Sequence, residues 1–327
     1  MAESKVNWMQ HWAKAWGLKP ENVNPYVGCT PCSPGCARCW AKRLEDGRLR
    51  RLGRLKHKVG GGRDSGKGFF WDGPCYQGDE VLERPLHWRD PRLAWCCSMS
   101  DPYHESIPDD EIDRMMAVAA LCPQDFFLFL TKRSKRMRDL GGDDEDVLAD
   151  IIWEGFGWQK RCARAEDQDH RDAGLGFKRF LRETPKFDAE WARYEALCPS
   201  RVPLPNVARG VTVCNQDEVH KIDDLLATPA AMRIVSAGPL LGPIRFRVPL
   251  AGINWIIVEA ESGPGRRPCK PEWVESIVEQ CDYTGTPVYV KQLDLGGRLS
   301  RDMSEWPAWA RVRQIPAPPE EWKGGKR

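Results

Sequence analysis

The chain is poor in several things at once. Its acidic and basic residues nearly cancel, leaving a formal charge of +2 over 327 residues. That excludes a polycation, so any nucleic-acid contact has to come from a local patch. No window holds eighteen apolar residues, so no membrane-spanning helix is expected. The first residues, MAESKVNWMQHW, show no basic stretch followed by an apolar run. No signal peptide is therefore expected, and the expected compartment is the cytoplasm. No GxGxxG opens a first helix, which argues against a dinucleotide-binding sheet. The Gly-rich stretch GGRDSGKG at 61–68 has Gly68 where a phosphate loop needs Ser or Thr for magnesium, and no strand leads into it.

Cysteine, by contrast, is plentiful: there are thirteen. Without an export signal they argue against a disulfide framework. Cys75, Cys122, Cys162, Cys198 and Cys281 are scattered and read as small buried apolar residues. Cys29, Cys32, Cys36 and Cys39 are packed into the stretch NPYVGCTPCSPGCARCWAKR at 24–43, a spacing that suits metal ligation. Pro31, Pro34 and Gly35 keep this stretch out of regular structure, and WAKRLEDGRLRRL after it reads as a helix. Three metal chemistries compete. A tetrahedral zinc site draws two CxxC pairs from separate loops, so four ligands here would be strained, although three could hold zinc. A ferredoxin run has the order C-x2-C-x2-C-x3-C, which this loop does not follow. Cys32, Cys36 and Cys39 form CxxxCxxC, which can hold three irons of a [4Fe–4S] cube and leave the fourth open for S-adenosylmethionine (SAM).

Around this loop the chain alternates strands and helices. Residues 4–19 place Trp8, Trp12 and Trp16 at helical spacing, as on a packed amphipathic helix. NVNPYV, LAWCCSM (93–99), FFLFL (126–130), NVARGVTV (206–213), MRIVSA (232–237), INWIIVEA (253–260) and PVYVK (287–291) read as strands. DDEIDRMMAVAALCP, with Pro108 and acidic residues at its start, and PEWVESIVEQC read as helices. The strands are continuously apolar, so both of their faces should be covered. Alternation of this kind implies parallel βαβ units. The expected fold is α/β, a full or partial (β/α) TIM-type barrel of about seven parallel strands over residues 1–294. A charged helical insertion or lid is expected at 141–205, and an irregular Pro/Trp-rich tail at 295–327. Barrel active sites lie at the C-terminal strand ends. Polar residues recur there: Ser98, Ser100, Asp101, Thr131, Lys132, Arg133, Asn215, Ser236, Glu261, Lys291 and Gln292. Each alone could equally be a cap, and Lys132 and Arg133 read equally well as a surface charge pair. His104, beside Pro102 and Tyr103, reads as a turn residue before it reads as a base. The basic segment 42–67 either tracks a phosphate backbone or is a solvated face without a partner.

The stretch NPYVGCTPCSPGCARCWAKRL resembles the signature of a phage- and prophage-associated family of radical-SAM-like proteins of unknown function, which carries a C-x6-C-x2-C loop. SMSDPYHESIPDDEIDRMMAV, LTKRSKRM, LPNVARGVTVCNQ, TPAAMRIVSAGPLLGPI, INWIIVEAESGPGRRP and PVYVKQ resemble it too, in order, over most of residues 22–295. The resemblance implies a radical-SAM-type barrel with a [4Fe–4S] cluster and SAM. It places the iron ligands at Cys29, Cys36 and Cys39, with Cys32 as a substitute. It implies SAM contacts at Ser98, Ser100, Asp101, Asn215, Ser236 and Glu261, and substrate contacts at Lys132, Lys291 and Gln292. Gly238 stands where the family tends to have an acidic residue, a loss for which Glu259 could compensate. A flavodoxin- or ferredoxin-like electron donor is the expected partner, and a nucleic acid or modified nucleotide the expected substrate. The alternatives are a non-catalytic zinc- or cluster-stabilised protein that binds nucleic acid through 42–67, and a repair lyase acting on DNA photoproducts.

Overall fold

The computed structural model describes residues 6–44, 73–140, 203–247, 250–322 and 324. The chain enters through helix α1 (Asn7–Trp16), ended by Gly17 in the left-handed region at φ 71°. Strand β1 (Lys19–Val23) and the short β2 (Tyr26–Val27) follow, and the cysteine loop then leads into α2 (Trp40–Leu44). After β3 (Cys75–Tyr76) and α3 (Asp79–Leu82) come β4 (Arg92–Cys96), α4 (Asp109–Leu121), β5 (Phe126–Thr131) and α5 (Ser134–Asp139). Beyond residue 202 lie β6 (Val207–Thr212), α6 (His220–Ala227), β7 (Met232–Ala237), β8 (Trp255–Glu259), α7 (Pro271–Thr284), β9 (Val288–Leu295) and β10 (Arg298–Ser300).

The large sheet has eight strands in the order β1-β4-β5-β6-β7-β8-β9-β10. The first seven run parallel and follow the chain. This matches the expected alternation and strand number. The sheet is open, with β1 at one edge and the antiparallel β10 at the other, so the closed form of the expected barrel is not what forms. Among the described residues no helix is long and apolar enough to cross a membrane.

Three local expectations change. The stretch NVNPYV is not one strand. Pro25 has no N–H to give a ladder, so β1 ends at Val23 and β2 pairs separately with β3. The cysteine segment is not wholly irregular, because Pro34–Arg38 forms a turn of 3-10 helix. The stretch after 294 is not irregular throughout either. Gly296 and Gly297, both at positive φ, turn β9 back into β10, as hairpin turns favour. Farther on, Trp306 is buried with its indole N–H on Ser300 Oγ at 3.0 Å. The expected insertion at 141–205 lies outside the described residues apart from 203–205, as does the basic segment beyond residue 44.

The strands are apolar throughout because each face meets a different layer. Ala94, Cys96, Phe127, Phe129, Val235, Ile256 and Val258 point to the helix-covered side. Leu93, Trp95, Phe126, Leu128, Ile234, Trp255 and Ile257 point the other way, into a cluster that α1 supplies with Trp8, Met9 and Trp12. Period-two alternation thus divides two cores rather than a core and water. Trp12 sits with its ring centroid 5.1 Å from Trp255 and 5.7 Å from Phe126. Helix α1 therefore covers the ends where the strands begin and leaves the opposite ends for function. Trp12→Ala should lower the free energy of unfolding by about 3–5 kcal/mol, the usual range for emptying a buried tryptophan site. Urea denaturation of the full chain checks this.

Candidate functional site

The cysteine loop lies across the C-terminal ends of the parallel strands and is tied to several of them. At its start, Gly28 N–H donates to Met99 O (3.0 Å) just past β4. Asn24 Oδ1 accepts from Met99 N (2.9 Å) and Ser98 Oγ (3.1 Å). Ser33 Oγ caps the 3-10 turn by accepting from Gly35 N (3.2 Å). Gly35 itself is buried against the end of β6: a Cβ there would stand 2.6 Å from Cys214 Sγ and 3.3 Å from Pro239 Cδ. Only glycine lets the loop seat this closely.

Arginines make the remaining ties. Arg133 follows β5 and is buried. Its Nη2 donates to Thr30 O (3.1 Å) and Thr30 Oγ1 (3.0 Å), and its Nη1 to Cys29 Sγ (3.5 Å). From the segment after β8, Arg267 Nη1 donates to Pro34 O (2.9 Å). In the reverse direction, Arg43 of α2 donates to Ser262 O (2.6 Å).

The predicted residues divide into those already satisfied within the protein and those that are not. Asp101 is buried and fully engaged. Its Oδ1 accepts from Thr131 Oγ1 (2.6 Å) and Tyr103 N (3.0 Å), and its Oδ2 from Lys132 N (2.9 Å) and Arg133 Nη1 (3.3 Å). Ser98 is held by Asn24. Glu261 pairs with Arg267 through both oxygens, at 2.5 Å for Oε1 and 3.0 Å from Nε to Oε2. Gln292 bridges Ala260 O (2.6 Å) and Arg301 Nε (2.9 Å). Lys291 pairs with Glu259. Ser236 is buried on β7. Ser100 Oγ and Asn215 Oδ1 are buried without a hydrogen-bond partner, and such orphaned atoms are uncommon enough to ask for one.

The thiols differ sharply in proton affinity. Every described cysteine is free. A hydrogen bond from Cys32 lowers the pKa of the Cys36 thiol, against the effect of burial and with help from the Lys132 ammonium. The same hydrogen bond, with burial, pushes Cys32 up. Burial and the Asp101 carboxylate push Cys29 up to about 12 despite Arg133. Burial and Glu218 do the same to Cys214. Of the hydrogen-bonded pair Cys32 and Cys36, Cys36 is the thiol that gives up its proton more easily. Burial works against the charge of Lys132, but the sulfurs of Cys36, Cys214 and Cys39 and the Asp101 carboxylate outweigh it and raise its pKa.

Four free thiols on one loop are the donor chemistry of an iron–sulfur or zinc site. Among the described residues no three His, Cys, Asp or Glu side chains stand close enough to hold a metal ion, so ligation would draw the sulfurs together. The donor set fits such a group.

Sequence reasoning passed over several members of this site. Arg133 read equally well as a surface charge, yet it is the clamp on Cys29 and Thr30. Cys214 was visible only as the residue after a strand. Arg267 gave no signal at all, its partner Pro34 lying 233 positions away. His104 is a turn residue, as expected, its N–H on Asp101 O (3.1 Å) and its carbonyl taking Ile107 N (2.9 Å). It is buried, with Nδ1 accepting from Ser106 N (3.0 Å), which leaves its proton on Nε2 facing Thr30 Oγ1 (2.8 Å).

A family model described as "Protein of unknown function (DUF5131)" matches residues 3–308. No curated protein and no solved structure matches the chain.

His104 gives the site a pH dependence. Burial first, then the Arg133 charge, hold its pKa below the ordinary imidazole value. The unfolded chain therefore takes up a proton that the folded chain refuses once pH falls through about 6.5, and stability declines below that point. Chemical denaturation at about pH 7.5 and about pH 5.5, either side of the unperturbed imidazole value, should show the loss. His104→Gln, which keeps an N–H for Thr30 and removes the titrating ring, should reduce it.

Proposed function

We propose that this chain, which belongs to the DUF5131 family of proteins of unknown function, is a radical SAM enzyme built on a partial (β/α) barrel. The observation that carries the reading is the placement of the cysteine loop over the C-terminal ends of parallel strands β4 to β8. Cys29, Cys36 and Cys39 would hold a [4Fe–4S] cluster, with Cys32, hydrogen-bonded to Cys36, as the substitute for Cys29. When bound, such a cluster supplies the electron that cleaves a carbon–sulfur bond of SAM.

The chain's own residues have the remaining work. Arg133 holds the Cys29 end of the loop by Thr30, and Arg267 holds the Cys36 end by Pro34. Lys132 places a positive charge beside the sulfurs, which offsets thiolate charge in a partly buried site. Ser100 Oγ and Asn215 Oδ1, buried and without a hydrogen-bond partner, are the polar atoms we assign to SAM, which would have to open a path to them. Ser98, Asp101 and Glu261 shape the pocket through their internal bonds. Lys132 and Lys291 are the candidate substrate contacts, while Gln292 is buried and bonded to Ala260 and Arg301 and supports them from behind. The substrate class we assign is a nucleic acid or modified nucleotide. A flavodoxin- or ferredoxin-like protein would deliver the electron.

Anaerobic reconstitution followed by iron and sulfide analysis tests this. The expected result is about four irons and four sulfides per chain, the content of one [4Fe–4S] cluster. An EPR signal after reduction should change when SAM is added, with release of 5′-deoxyadenosine. Cys36→Ala should abolish iron loading. Stoichiometric zinc with no iron signal would overturn the reading and favour a zinc-stabilised nucleic-acid-binding protein.

A further inference from the structure

The ends of β7, β8 and β9 meet in a charge arrangement whose parts explain one another. Glu259 is the last residue of β8 and Lys291 lies within β9. The two strands are in register up to Val258 and Val290, and then Glu259 pairs with Gln292. Lys291 is therefore the extra residue of a β-bulge, a device that re-aims one side chain at the end of a ladder. It is aimed at Glu259, with which it forms an ion pair. About a fifth of each side chain remains exposed, so the pair is partly drawn out of water and still open to the mouth.

The third part is Gly238, the residue after β7. A Cβ on Gly238 would stand 2.8 Å from Glu259 Oε1 and 3.1 Å from Glu259 Cδ, and closer still to Cγ. A side chain there would meet Glu259, and one of the two would have to move. Gly238 has no need of positive φ, since it is not among the glycines of that kind. Its reason for being glycine is the space. Next to it, Pro239 Cδ reaches the position that a Cβ of Gly35 would occupy, at 3.3 Å. The pair is thus one residue removed from the cysteine loop.

We infer that Glu259 is a positioning residue for Lys291, and that positions 238 and 259 together form a single carboxylate seat which this chain fills from β8. A side chain from β7 would enter the same volume, so the seat can hold one carboxylate from either strand but not two. Held there, Lys291 presents its remaining N–H donors to the mouth. That these donors meet an anionic group of a bound substrate rests on the reading above; the shared seat does not.

The test uses the full chain and the variants Glu259→Gly, Gly238→Glu and the double exchange. Acetylation of Lys291 by acetic anhydride, read by peptide mass spectrometry, reports on its partner, and thermal unfolding reports on the fit. Glu259→Gly should speed Lys291 acetylation several-fold, and the conservative Glu259→Gln should do the same because it removes only the charge. Gly238→Glu alone should lower the unfolding midpoint, since two carboxylates then compete for one place. The double exchange should bring both readouts back towards wild type, a non-additive result that independent sites do not give. Should Gly238→Glu fail to fold, Gly238→Ala with and without Glu259→Gly asks the same question of space. Unchanged Lys291 acetylation in Glu259→Gly, or additive losses in the double exchange, would overturn the inference. Iron and sulfide content of the same preparations is read separately. Failure of wild type to load iron would sink the cluster reading and leave the seat intact.

Discussion

A buried carboxylate, Asp101, holds the site together. It lies just past β4, and its four acceptor contacts reach Thr131, Lys132, Arg133 and Tyr103. Through them the end of β4 is locked to the end of β5. Arg133 is buried by the same lock, and with one hand on Asp101 it reaches the cysteine loop with the other, at Thr30 and Cys29. Arg133 also pairs with Glu105 at 2.7 Å, closer than its 3.3 Å contact with Asp101, so two carboxylates share the compensation of this buried charge. The position of the loop therefore depends on Arg133 and the two carboxylates that hold it, Asp101 and Glu105.

The anchoring scheme leaves the sulfurs largely free. The loop is gripped at backbone oxygens, Thr30 O by Arg133 and Pro34 O by Arg267, and at the Ser33 cap. Gly35 seats it on Cys214. Of the four loop cysteines, Cys29 alone takes a hydrogen bond from a clamp residue. The loop's path is set before any ligation, and the thiols stay available to donate. Three nearby cations have a carboxylate of their own, Asp101 for Arg133, Glu261 for Arg267 and Glu259 for Lys291, while the charge of Lys132 is set against the sulfurs themselves.

Two cores on either side of one sheet explain why the mouth is where it is. The tryptophan-rich cluster under α1 closes the ends where strands begin, and α4, α6 and α7 cover the outer face. What remains uncovered by either layer is the row of C-terminal strand ends, and the loops that leave them carry the polar residues.

Much of this was written in local patterns. Apolar runs with turn signals at their ends were enough for six of the seven parallel strands, because strand identity depends on neighbours along the chain; the first, Lys19–Val23, is not such a run. Trp8, Trp12 and Trp16 marked the packed helix, and the spacing of Cys29, Cys32, Cys36 and Cys39 marked the donor loop between strand and helix. The tertiary structure decided what depends on distance in space. It left the sheet open, split the first strand at Pro25 and folded the stretch after Leu295 back as β10. It separated the polar strand-end residues into those bonded internally, such as Asp101, Glu261 and Gln292, and those left with an orphaned atom, Ser100 and Asn215. It also chose Arg133, Arg267 and Gly35 as the clamps on the loop. A hydrogen bond or a van der Waals gap joins residues as far apart in the chain as Pro34 and Arg267. Periodicity and spacing describe the chain's path and its local faces, but which of those faces meet is settled only when the strands are laid side by side.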